Sequence, residues 1–83
     1  MAITKQEISD WFDRALFNGC SHLIIVCDTF DWEDYPVYVM PNESVHEKAS
    51  EFDGRNMQKV MEVYSMKLDK QSQMNEYRGF HYE

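Results

Sequence analysis

Hydrophobic and polar positions change period several times along this chain, and each change marks an element. Ile8, Trp11, Phe12, Ala15 and Leu16 recur at i, i+3, i+4 spacing and predict one apolar helix face. Thr4 and Glu7 form a capping box ahead of that face, and Asn18-Gly19 supplies a left-handed stop after it. Residues 22–30, HLIIVCDTF, are β-branched and apolar and too short for a helix, so they predict a central strand. Residues 35–40, YPVYVM, predict a second strand, with DWED at 31–34 as the hairpin turn. Pro36 cannot donate to a ladder, which places that strand at an edge or puts Pro36 at its start.

A second capping box, Ser44 with Glu47, opens a helix over 44–52 whose inner face is Val45, Ala49 and Phe52, and Asp53-Gly54 closes it. The next stretch carries two patterns. Met57, Val60, Met61, Tyr64 and Leu68 fall at helical spacing, whereas Val60, Val63 and Tyr64 favour a strand. A lone hairpin is a poor sheet in water, so residues 58–66 are assigned as a third strand. Asp69 then caps a last helix over 70–78 that ends at Gly79, and residues 80–83 either pack an aromatic back onto the domain or fray. The expected architecture is α+β, one domain over 1–83 in the order αββαβα. It has a three-stranded, mainly antiparallel sheet with helices on one face.

Composition narrows the class. Eighty-three residues allow one core, and 43% apolar with 14% aromatic residues is too rich for a disordered tail. The longest apolar run, from Leu23 to Cys27, cannot span a membrane, and the first residues carry no leader pattern, so a cytoplasmic protein is expected. Eight basic residues against fifteen acidic ones give a net charge of −7, which argues against direct binding of nucleic acid. Cys20 and Cys27, seven apart, form neither a CxxC motif nor half of a zinc site. No cofactor or metal is expected, and no catalytic residue is assigned. Cys27 sits badly for attack within a strand, and His22, His46 and His81 stand at no ligand spacing.

The negative charge is concentrated. Residues 28–53 hold eight acids and only Lys48, while 54–83 hold five bases and four acids. Asp28, Asp31, Glu33 and Asp34 crowd the hairpin around Trp32 and Tyr35, with Glu43, Glu47 and Glu51 following. Three readings follow: a solvated turn, a surface that docks on a basic partner, and, less favoured because the spacing does not fit a calcium loop, a divalent-cation site. Trp32 favours docking, because a large aromatic is costly to leave exposed without use. Most methionines read as core filler. Arg55, Lys59 and Arg78, with Lys67 and Lys70, form a modest basic set. It would suit a small anionic ligand such as a cyclic nucleotide at a subunit junction, or pairing with the acidic third across a dimer.

The block CDTFDWEDYPVYVMP at 27–41, followed by DGRNMQKVMEVYSM at 53–66 and Gln73…Glu76-Tyr77-Arg78, resembles a family of short acidic proteins encoded by bacteriophages and prophages. The likeness spans nearly the whole chain and brings a genomic setting but no catalytic residues. Small phage proteins of this kind often act against host defence. The resemblance thus implies a non-enzymatic inhibitor that places its acidic hairpin on the basic, nucleic-acid-binding site of a host immune protein. Two alternatives stand beside it, an oligomeric sponge for a signalling nucleotide and a structural or regulatory phage protein. Self-association, most simply as a dimer, is expected of so small and methionine-rich a domain.

Overall fold

A seven-residue strand with no polar interruption organises everything around it. In a computed structural model that describes residues 5–54, 57–76 and 79–82, the chain runs α1 (Lys5–Phe17), β1 (His22–Asp28), β2 (Glu33–Val39), α2 (Val45–Phe52), β3 (Gln58–Ser65) and α3 (Lys70–Met74). The sheet is antiparallel throughout in the order β2-β1-β3, so β1 is central and Pro36 lies on an edge strand, where a missing N–H is tolerated. The expected α+β order and three-stranded sheet are therefore observed. Ser44 caps α2 by accepting the Glu47 N–H at 3.3 Å, and Gly19 takes the left-handed conformation after α1 at φ 74°. The Thr4 cap lies outside the described residues. The last helix is shorter than the sequence suggests, closing at Met74 with Asn75 as its C-cap.

The placement of the helices needs one correction. They do not share a face of the sheet. Ile8, Phe12 and Ala15 of α1 and Met74 of α3 pack against Leu23, Ile25 and Tyr64, while Val45 and Ala49 of α2 pack against Ile24, Val26, Val60 and Val63 on the other side. Successive strand residues point to opposite faces, so an apolar run without alternation requires cover on both. All of β1 except Asp28 is buried.

The conflicting pattern of β3 also resolves. Ile25 pairs with Glu62 but Val26 pairs with Val60, which leaves Met61 as the extra residue of a β-bulge. The bulge brings Val60 and Val63, three apart, to the same face. Helical spacing in the sequence is the trace of this bulge.

The two sheet edges are protected differently. Pro36 and Asp34 blunt the outer edge of β2. Along β3 the cover is built from three pieces of chain. Val60 N–H donates to Asp53 Oδ1 at 3.3 Å. Val63 donates to Gly79 O at 3.0 Å and accepts from His81 N–H at 2.9 Å. Ser65 N–H donates to Gln73 Oε1 at 2.7 Å, and Gln73 Nε2 donates to Ser65 O at 2.8 Å. The side-chain amide of Gln73 thus replaces a strand. The described C-terminal residues, 79–82, pack rather than fray, with Tyr82 stacked 4.4 Å from His46 and His81 Nε2 2.5 Å from Glu76 Oε2.

Candidate functional site

The hairpin loop covers residues 29–32, two earlier than the sequence suggests. Asp28 holds it. Its Oδ1 accepts the N–H groups of Phe30 at 2.9 Å and Asp31 at 3.4 Å, and its carbonyl accepts Trp32 N–H at 2.6 Å. A carboxylate bonded to the backbone two and three residues on is an Asx turn, so Asp28 shapes the loop from within. Thr29 ties the loop to the start of β3, donating through both N–H (2.7 Å) and Oγ1 (2.8 Å) to Met57 O. Trp32 and Met57 have positive φ, 57° and 61°, the only non-glycine residues among those described to do so. Strain of this kind persists only where surrounding bonds enforce it.

The result is an apolar group at one end of the sheet. Phe30 is 71% exposed, Trp32 63% and Met57 57%. Asp31 sits among them in the loop. Glu33 and Asp34 belong to β2 rather than to a turn, and as neighbours in a strand they point to opposite faces, Glu33 with Tyr35 and Val37 on the α2 side and Asp34 with Tyr38 on the α1 side. Tyr35 is half-buried, its ring edge-on to Phe52 at 6.5 Å and its hydroxyl bonded to the Gln58 amide. It fastens β2 to β3.

The other sequence-predicted acids are spread out. Glu43 lies at the far end of the sheet, where it accepts Met40 N–H at 3.0 Å and pairs with Lys48 at 2.9 Å; Lys48 first, then the Met40 bond, hold its carboxyl below the usual range. Glu47 and Glu51 are exposed on α2, which runs from that end towards the hairpin, where Asp53 caps Val60. The structure therefore keeps Asp31, Trp32, Glu33 and Asp34 at one end of the sheet, with Glu33 and Asp34 on opposite faces, and separates Glu43. Sequence reading missed Phe30 and Met57, taken as strand and core residues. Their signal is the Thr29–Met57 link, which exists only after folding.

Of the basic set, the described lysines are not gathered. Lys59 is exposed opposite Cys27, which pairs on its other side with Asp34. Lys70 binds Asp13 at 2.8 Å and lies 5.9 Å above the Phe12 ring. Arg55 and Arg78 lie outside the described residues. His22 and Cys27 stand at opposite ends of β1. No group of three or more His, Cys, Asp or Glu among the described residues is arranged to hold a metal, and no helix among them is long and apolar enough to cross a membrane. A cleft of about 320 Å³ between α1 and α3 is lined, among the described residues, by Gln6, Ser9, Gln71, Met74 and Asn75, none of them an acid or base.

Four protonatable groups share one shift. Burial pushes up the Cys20 thiol, aided by Glu43, and the Cys27 thiol, aided by the bond and charge of Asp34. Burial likewise raises the phenols of Tyr35, aided by Asp28, and Tyr64, aided by the Glu62 carboxylate it donates to at 2.7 Å. Each group holds its proton more firmly folded than unfolded, so the stability it contributes is complete below its ordinary value and drains away above it. Urea midpoints should be level near pH 7 and fall steadily from the thiol's ordinary 9.0 upward. A midpoint unchanged up to about pH 10.5 counts against this account.

Comparison with protein-family models, with curated proteins and with solved structures gives no match.

Proposed function

We propose that this protein acts by binding rather than catalysis, docking its hairpin end on a basic surface of another protein. The observation that carries the reading is the exposure of Phe30, Trp32 and Met57 together at the end of the sheet that also holds Asp31, Glu33 and Asp34. An apolar centre within a charged rim is the anatomy of a protein interface, and the carboxylates draw a positive partner in from a distance. The resemblance to short phage proteins supports the setting: the cytoplasm of a bacterial host, with a nucleic-acid-binding immune protein as the target. A nucleotide sponge has less support, since the described bases stand at both ends of the molecule.

The test is the triple variant Asp31→Asn, Glu33→Gln, Asp34→Asn. Crowded like charges repel, so thermal stability should stay level or rise slightly. Capture of basic nucleic-acid-binding proteins from bacterial lysate should drop, and against a purified partner the loss should fall on the association rate. An unfolded variant, or capture identical to wild type, refutes the docking reading.

Self-association belongs to the same proposal. Leu16 and Phe17, the latter 91% exposed, end α1 beside Cys20, whose thiol lies 3.7 Å from the exposed Met40 sulfur. This second apolar group, remote from the hairpin, suits a symmetric contact with another copy. Light scattering at tens of micromolar should give twice the monomer mass for wild type and the monomer mass for Phe17→Asp. A monomeric wild type removes the dimer.

A further inference from the structure

The outer edge of β3 is covered in two ways. At Val60 and Ser65 the cover is a side chain, Asp53 or the Gln73 amide. At Val63 it is backbone: Gly79 O accepts the Val63 N–H at 3.0 Å, Val63 O accepts the His81 N–H at 2.9 Å, and Phe80 stands opposite Val63 in a parallel bridge. Residues 79–82 thus sit where a fourth strand would pair, over one residue of β3. We propose that this stretch of β3 is a strand-accepting edge, held shut by residues 79–82 and entered by an extended segment of another polypeptide when they lift. The residues already in place define the chemistry of an entrant. It runs parallel to β3 with a small residue at the Gly79 position. A cationic or imidazole side chain two residues on meets Glu76, and an aromatic ring after that stacks on His46. The inference is independent of the hairpin reading.

The contacts of residues 79–82 are few and lie near the surface. Phe80 is 44% exposed. Tyr82 is the anchor, half-buried beside the cluster of Val45, Ala49, Val60 and Val63, its ring stacked on His46 with planes 13° apart. His81 and Glu76 form a clasp that closes across a residue without a side chain. A Cβ on Gly79 would lie 2.3 Å from Glu76 Oε2 and 3.1 Å from His81 Nε2. Both atoms end flexible side chains, so alanine at this position parts the clasp and leaves the backbone where it is. A segment with few backbone bonds and little buried apolar surface opens locally, without unfolding the domain. The edge it uncovers presents an N–H and a C=O of Val63 to any matching strand.

The experiment reads amide exchange and peptide binding on the full chain. In wild type the Val63 and His81 amides should exchange about a hundredfold or more faster than those of Leu23 to Val26, at rates that low urea leaves unchanged. Gly79→Ala should speed both about threefold, the loss of one exposed ion pair, and Gly79→Ala with Tyr82→Ala about tenfold or more, with β1 unaffected. The binding probe is fluorescently labelled acetyl-Gly-Phe-His-Tyr-amide, followed by anisotropy. It should bind the double variant about tenfold more tightly than wild type, and a probe with alanine in place of tyrosine should not bind. If the double variant unfolds, Gly79→Ala alone serves, with a gain of about threefold. Val63 and His81 amides that exchange only as slowly as β1 overturn the detachable segment. Probe affinity equal in wild type and variant, or no binding to the variant, overturns the strand-accepting edge.

Discussion

Gln73→Ala should destabilise the domain by about 3 kcal/mol or more, a large share of the roughly 4–12 kcal/mol available to a chain of this size. Gln73 is 2% exposed, and one amide satisfies both the N–H and the C=O of Ser65, which is itself fully buried. The same Nε2 also reaches the carbonyls of Leu68 and Asp69, each at 3.3 Å, binding the connection between β3 and α3. Truncation takes the 2.7 Å acceptor from the Ser65 N–H, at a cost of about 1–3 kcal/mol, and leaves the Ser65 C=O the longer bond from Leu68 N–H at 3.3 Å. Gln73→Glu is the sharper probe. It keeps the shape but cannot donate to Ser65 O, so it should be nearly as damaging at neutral pH and milder in acid, where the carboxyl regains a proton. Denaturant midpoints and faster amide exchange at Ser65 would report both effects. A Gln73→Ala midpoint within error of wild type would show that water replaces the amide freely.

Phe12→Ala should be the most damaging single truncation, about 3–5 kcal/mol. Phe12 is 1% exposed and meets Tyr64 edge-on, with centroids 6.0 Å apart and planes at 81°. It also lies beneath Lys70 of α3, so one ring joins α1, the sheet and the last helix. The expected outcome is a sample largely unfolded near 37 °C, with Phe12→Leu recovering much of the loss. A thermal midpoint lowered by only a few degrees would mean that α1 contributes little to the core.

What the sequence revealed, and what it hid, follows from which interactions are local. Capping at Ser44 and the left-handed stop at Gly19 depend on neighbours in the chain and were readable from them. The two-sided cover of β1 is written in its unbroken apolar run, which needs an apolar layer on each face, whereas the expected architecture set all helices on one. The bulge at Met61 imitated a helix because an inserted residue turns a period of two into a spacing of three. At the hairpin, the carboxylates of residues 31–34 looked like turn formers, yet Asp28 makes the turn and Glu33 and Asp34 pair in the ladder. Gln73 was unreadable in principle. A glutamine in a short polar helix looks solvent-facing until the strand it completes is in place.

The closure of β3 by Gln73, Asp53 and residues 79–82 bears on how the protein behaves when crowded. Stacking into a cross-β fibril requires backbone groups on an outer strand that a neighbouring chain can reach. Here the strand with the richest β-forming sequence, β1, is internal, the outer edge of β3 is covered, and that of β2 is interrupted by Pro36. Growth of a fibril along β3 would first have to break the amide clamp at Ser65, so Gln73 sets both the folding stability and the accessibility of that edge.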